Sequence, residues 1–308
     1  MFKYRAISFP ILIALLAVMI LWPEWGRYLF VVVASLAAAM MFREIGAMLR
    51  NIGVAVFEKS TVLFGGLFLF SMLSLSVARQ TGSRAMTILF FLLLMFCMLA
   101  VIYAGWLLLL FGKEKKENFD RMLRSVGIFL LAGTPVYALS MVYFEGSEGP
   151  VALFSEGPVA LFSEGPVALF YVMMVTKSMD TGGYIFGMLS GKYLLGGNHK
   201  IVPSISPKKS WEGTIGGVLL SVAVSLLFYW YYAESSNGIS ASLAWYILAG
   251  VILAVGSFAG DLTESALKRT CGVKDSGHWI PGMGGAFDVL DSFIYNGVIF
   301  WILCLFRF

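Results

Sequence analysis

The sequence predicts an all-α integral membrane protein of about nine transmembrane helices, with a cytoplasm-facing polar cleft near the C-terminal helices. Three observations carry that prediction. Hydrophobic residues make up 59% of the chain and charged residues 13%, against roughly 45–50% and about 25% in soluble domains. A soluble fold of 308 residues must cover its outside with polar groups, so the apolar excess has to face lipid. Apolar runs of spanning length recur along the chain. The basic residues between those runs alternate in abundance, as membrane-inserted loops do.

The first run, residues 7–22, follows Met1-Phe-Lys-Tyr-Arg-Ala and imitates a secretory signal. It ends in Trp22-Pro-Glu-Trp25 rather than in a small-residue cleavage site, so it reads as an uncleaved helix. Further runs occupy 28–42, 60–77, 86–111 and 126–144, then roughly 159–179, the weakest, and 215–232, 243–258 and 293–306. With the N-terminus in the cytoplasm, only Arg27, Arg79, Arg84 and Arg307 of the 22 Lys and Arg residues fall outside. That pattern predicts a multi-pass protein of the inner (plasma) membrane with an external C-terminus. Trp22, Trp25, Trp230 and Tyr232 stand at span ends, where aromatic rings anchor to the interface.

Three segments follow from this order: N-terminal membrane helices over 1–145, an external loop over 146–170, and a C-terminal catalytic region over 171–308. The loop holds three tandem copies of Ser-Glu-Gly-Pro-Val-Ala-Leu-Phe, at 147–154, 155–162 and 163–170. A period of eight matches neither helix nor strand, and each Gly-Pro disfavours a continuous helix. A tandem expansion of the loop, with its last copy entering the sixth span, accounts for it. Cys97, Cys271 and Cys304 are far apart, without metal-type spacing, and read as buried thiols. A net charge of +4 without a dense basic run gives no support for a nucleic-acid partner.

Two inner segments, about 176–213 and 259–292, hold most of the polar residues suited to chemistry. If 261–269 is helical, Asp261, Ser265 and Lys268 share one face; if 288–296 is helical, so do Asp288, Asp291 and Tyr295. Carboxylates at membrane depth cost roughly 2.5–3.5 kcal/mol each on insertion scales and mark function or an ion path. Together with Lys, Arg and several glycines they suit a magnesium–polyphosphate site. The competing reading is a cytoplasmic loop with solvated charges. A second stretch runs from Asp180-Thr-Gly-Gly-Tyr184 to Gly187, then Ser206-Pro-Lys208-Lys209-Ser210-Trp211-Glu212-Gly213. A helix opening after such lysines favours phosphate. His199 and His278 lack paired ligand spacing and read as loop residues.

The run from Ser265 through Lys268-Arg269, Lys274-Asp275 and Gly277, and on through Ile280-Pro281, Gly284-Gly285, Asp288 and Asp291, resembles the signature of phosphatidate cytidylyltransferases (CDP-diacylglycerol synthases). The two blocks of the second stretch resemble further parts of that family, in the same order. The likeness covers about 175–295 closely. Met283, Ala286 and Val289 depart from it, standing where the family pattern has His, an aliphatic residue and Arg.

The resemblance implies transfer of CMP from CTP to phosphatidate, with release of pyrophosphate, in phospholipid biosynthesis. It implies Asp261, Asp288 and Asp180 as magnesium ligands, Asp291 as a further carboxylate, and a second cation as an open question. Lys268 and Arg269 join the catalytic set. Lys274, Asp275, Ser265, Ser206, Lys208, Lys209, Gly284 and Gly285 would bind substrate. The expected partners are CTP, phosphatidate and membrane lipid, and a homodimer is one assembly open to the chain. Another CTP-dependent lipid enzyme, such as a polyprenol kinase or an archaeal-type CDP-lipid synthase, would reuse this chemistry. A transporter would spread polar residues through several spans, whereas here they cluster near one end.

Overall fold

A computed structural model describes residues 2–112, 114–144, 165–193, 198–235 and 242–305. The first two copies of the repeat, and the start of the third, lie outside them. Among the described residues the elements are helical, without strands, as expected: α1 (Phe2–Leu21), α2 (Pro23–Asn51), α3 (Glu58–Gln80), α4 (Arg84–Phe111) and α5 (Lys115–Phe144). They continue with α6 (Gly165–Tyr193), α7 (Trp211–Ser235), α8 (Leu243–Thr270), α9 (Ala286–Leu290), a 3-10 turn over Asp291–Phe293, and α10 (Asn296–Leu305).

Among the described residues each of the nine expected spans overlaps a helix, but seven stretches are long and apolar enough to cross a membrane. Helix α1 contributes only the shorter apolar stretch Pro10–Leu21. Helix α6 is not one of the seven, and from its middle onward it carries Lys177, Asp180, Thr181 and Lys192. Its start lies inside the third repeat copy, with Pro166 in the first turn, where a missing amide proton costs nothing.

The chain divides into two compact units: Met1–Ser140 with Thr270–Val289, and Met141–Arg269 with Leu290–Phe308. In the first unit, Met41, Phe42, Ile45 and Met48 of α2 are buried, as are Leu69 and Leu73 of α3. Phe129 of α5 stacks on Phe42 at 5.6 Å and meets Phe68 edge-on at 5.5 Å. Such pairs contribute about 0.5–1.5 kcal/mol beyond their buried area. Serines return their hydroxyls to their own helix, Ser71 to the Leu67 carbonyl at 2.7 Å and Ser140 to that of Val136 at 2.6 Å. These bonds spare the two hydroxyls the cost of standing unpaired in an apolar surround.

In the second unit, Tyr171, Trp245, Tyr246 and Phe300 form a fully buried aromatic centre. Ser225 Oγ donates to the Tyr246 carbonyl at 2.6 Å, so its own lone pair takes the Tyr171 hydroxyl at 2.7 Å. Helices α6 and α7 close on small residues: a Cβ built on Gly182 would lie 2.8 Å from the Gly217 Cα. Small residues at such crossings let membrane helices approach at backbone distance. That approach fixes the end of α6 that carries Lys177 and Asp180.

Candidate active site

Helix α8 delivers the first carboxylates. It stays helical to Thr270, so Asp261, Glu264, Ser265 and Lys268 lie on its last turns. The expected i, i+4 register is present, with Ser265 Oγ donating to Asp261 Oδ1 at 3.3 Å. Glu264 is 1% exposed and pairs with Lys268 Nζ at 2.5 Å. Gly260 allows the approach of the next carboxylate, since a Cβ there would sit 2.3 Å from the Asp291 carbonyl oxygen. As a result Asp261, Glu264 and Asp291 bring one oxygen each within 4.8 Å of one another.

The expected helix over 288–296 is broken at this point. Asp291–Phe293 forms a 3-10 turn between α9 and α10. The physical cause is local: the Ser292 amide and hydroxyl both reach Asp291 Oδ1, at 2.5 and 2.8 Å. Side chains that bind nearby backbone compete with regular helix. The regular helix on which Asp288, Asp291 and Tyr295 were expected to share a face is therefore not continuous. Tyr295 instead meets Thr263 Oγ1 through its hydroxyl, at 3.0 Å.

Three lysines offset this negative charge. Lys209 Nζ is 2.9 Å from Asp261 Oδ2, donates to the Phe258 carbonyl at 3.2 Å and lies 4.1 Å over the Phe258 ring. Lys177 Nζ donates to Ser292 Oγ at 2.7 Å and to Asp180 Oδ2 at 3.2 Å, and lies 3.9 Å from Asp291 Oδ1. Ser292 Oγ is in turn 2.9 Å from Asp180 Oδ2 and 2.8 Å from Asp291 Oδ1, so one buried hydroxyl links two acids and a lysine. Lys268 is the third. Arg269 is exposed and donates through Nε to the Ile205 carbonyl at 3.3 Å, which pins the loop ahead of α7. That loop ends in Ser210, whose hydroxyl accepts the Gly213 amide at 3.2 Å and caps α7. Lys208 is exposed and Ser206 half-buried on the same loop. Tyr184 is exposed, and His199 pairs with Glu212 at 2.6 Å, a loop role as expected.

The rest of the expected set sits on the glycine-rich turn of the first unit. Asp288 Oδ2 accepts the amides of Ser276 and Gly285, at 2.9 and 2.8 Å, and lies 2.9 Å from Ser276 Oγ. Gly284 has φ +97°, and Gly285 is buried. Lys274, Asp275 and His278 are exposed.

Sequence reasoning passed over five residues. Glu264 stands four residues before Lys268, and Lys177 three before Asp180, which are ion-pair spacings on a helix. Ser276 and Ser292 gave no signal, since a serine beside an aspartate is common. Glu44 did give one, as an acid within a helix of membrane-spanning length. The cluster of Asp261, Glu264 and Asp291 fits a hard divalent cation, which takes carboxylate oxygens and keeps waters.

The profile described as the cytidylyltransferase family matches residues 3–307. A protein of Mycobacterium bovis named phosphatidate cytidylyltransferase is 36% identical over 132 residues, 43% of this chain and 39% of that protein. Proteins of the same name from Staphylococcus haemolyticus and Staphylococcus aureus are 41% identical over 126 residues and 42% over 127. Each of those matches covers 41% of this chain and 44% of the relative. The chain thus spans about two-fifths of the length of the relatives it matches.

Proposed function

Because the chain belongs to the cytidylyltransferase family, we propose that it transfers CMP from CTP to phosphatidate, giving CDP-diacylglycerol and pyrophosphate in phospholipid synthesis. The observation that carries this reading is the convergence of Asp261, Glu264 and Asp291 with Lys177, Lys209 and Lys268 in a chain whose described residues include seven helical stretches long and apolar enough to cross a membrane. A lipid phosphate oxygen attacks the α-phosphorus of CTP, and the bond to the β-phosphate oxygen breaks. The attacking oxygen is already anionic, so no strong base is required. The work left to the protein is alignment and neutralisation of crowded phosphate charge.

Lys209 and Lys177 sit beside the carboxylates, which supports a role for them in taking phosphate oxygens. Ser292 fixes Asp291 and Asp180, and Lys268 balances the buried Glu264. Magnesium, held by Asp261 and Asp291 with Glu264 beside them, would screen the phosphates as they approach. Asp180 and Asp288 stay proposed as further ligands. Lys208, Lys274, Asp275, Arg269, Ser206, Ser265, Gly284 and Gly285 stay proposed around the substrates. The charge alternation supports a reaction on the cytoplasmic side of the inner membrane, with acyl chains left in the bilayer.

The test is the full chain in detergent, with magnesium, labelled CTP and either phosphatidate or a polyprenol. Labelled CDP-diacylglycerol and equal pyrophosphate are expected with phosphatidate alone. A phosphorylated polyprenol, or no labelled lipid, would overturn the reading.

A further inference from the structure

The glycine-rich turn before α9 is built around a side chain from far upstream. Glu44, on α2, is 3% exposed. Its Oε1 accepts the Ala286 amide and its Oε2 the Phe287 amide, each at 2.9 Å. These are the first amides of α9, which a helix cannot satisfy from within. Ser276 Oγ lies 3.0 Å from the same Oε2 and 2.9 Å from Asp288 Oδ2, so one serine joins two carboxylates.

Two glycines leave room for the acid. A Cβ on Gly277 would lie 2.7 Å from Glu44 Oε1, and one on Gly285 would lie 2.4 Å from Oε2. Gly277 and Gly285 therefore both face the Glu44 carboxylate. The neighbouring Arg43 places its guanidinium 4.9 Å over the Trp279 ring, a second tie from α2 to the same turn.

A carboxylate buried in an apolar helix is costly unless donors are fixed around it. Here two backbone amides are fixed in place, and their directions set the turn. Helix packing alone does not call for an acid at this position, since an apolar side chain would fill the space without that cost.

We propose that Glu44 is a positioning residue: its carboxylate holds the Ser276–Phe287 turn in shape and so sets the aim of Asp288 and of the adjoining Lys274–Asp275 segment. Glu44 touches no substrate and acts through the turn. Its effect on rate rests on the cytidylyltransferase reading above, whereas its effect on the turn does not.

The experiment uses the full chain with Glu44→Gln, Glu44→Ala, Gly277→Ala and the double variant Glu44→Ala/Gly277→Ala. In Glu44→Gln, hydrogen exchange at Ala286 and Phe287 is expected to rise at least ~10-fold, with the α6–α7 peptides unchanged. Misplacing a reacting group by an ångström can cost about 100-fold. Accordingly kcat should fall roughly 10- to 100-fold in Glu44→Gln, while the KM for CTP stays within about threefold. Gly277→Ala alone should slow the enzyme, and adding it to Glu44→Ala should cost nothing more, because the clash has gone.

Unchanged exchange at Ala286 and Phe287, retained kcat in Glu44→Ala, or additive losses in the double variant would each overturn the proposal. If the wild type makes no CDP-diacylglycerol, it is the cytidylyltransferase reading that fails, and the exchange data still decide whether Glu44 anchors the turn. Should the Glu44 variants not accumulate, Ser276→Ala carries the same two measurements, since it removes a donor and leaves the acid.

Discussion

At the scale of single residues, the site is a balance of acids and lysines whose members differ in what their loss should do. Asp261 offers oxygens to the carboxylate cluster and is held by Lys209 and Ser265. Asp261→Asn keeps the shape and removes the anion. Its rate is expected to drop ~10²–10³-fold, the usual effect of losing one positioned charge, and the magnesium needed for half-maximal rate should rise. Asp288→Asn discriminates between two roles, because Asp288 Oδ2 already takes the Ser276 and Gly285 amides. A shifted magnesium titration would make Asp288 a ligand. An unshifted one, with lower rate, would leave it as the pin of the turn. Ser292→Ala removes the hydroxyl shared by Asp180, Asp291 and Lys177. We expect kcat about tenfold lower together with a lowered melting temperature, since taking a buried partner from charged groups costs about 1–3 kcal/mol.

At the scale of elements, the helices were legible and their interruptions were not. Apolar runs located the long helices and left out the short α9, because lipid demands unbroken apolar length. The break at Asp291 escaped, since it depends on Ser292 competing for the backbone, and a spacing of three residues reads the same in either winding. Asp261, Ser265 and Lys268 were readable because α8 keeps its period to the end. Glu264 was hidden within that same stretch, as its partner Lys268 had been set aside for phosphate. The α6–α7 crossing gives a direct test of element packing. Gly182→Val would push against Gly217 and the Gly216 carbonyl, 2.8 and 2.9 Å from a first added carbon. Overpacking of this kind costs about 1–3 kcal/mol, so a lowered melting temperature in detergent is expected, with activity falling alongside it. An unchanged melt would mean the two helices part freely.

At the scale of the whole molecule, the charge alternation makes a claim about sidedness. Reporter fusions at 115 and 237 should report opposite faces of the membrane, and the same face for both would refute the alternation. Removing Ser155–Phe162 should leave expression and activity within about twofold, because loop length contributes little free energy. A collapse of either would give the middle copy a specific task. The helix that follows gives the reason to expect such removal to be benign. Helix α6 opens at Gly165, inside the last copy, and every copy spells the same residues. Strand slippage during replication adds or deletes whole copies in frame, and each product still presents Gly-Pro-Val-Ala-Leu-Phe as the first turns of that helix. If the deletion behaves as expected, copy number is free to drift as a neutral length polymorphism, while the helix start is inherited unchanged.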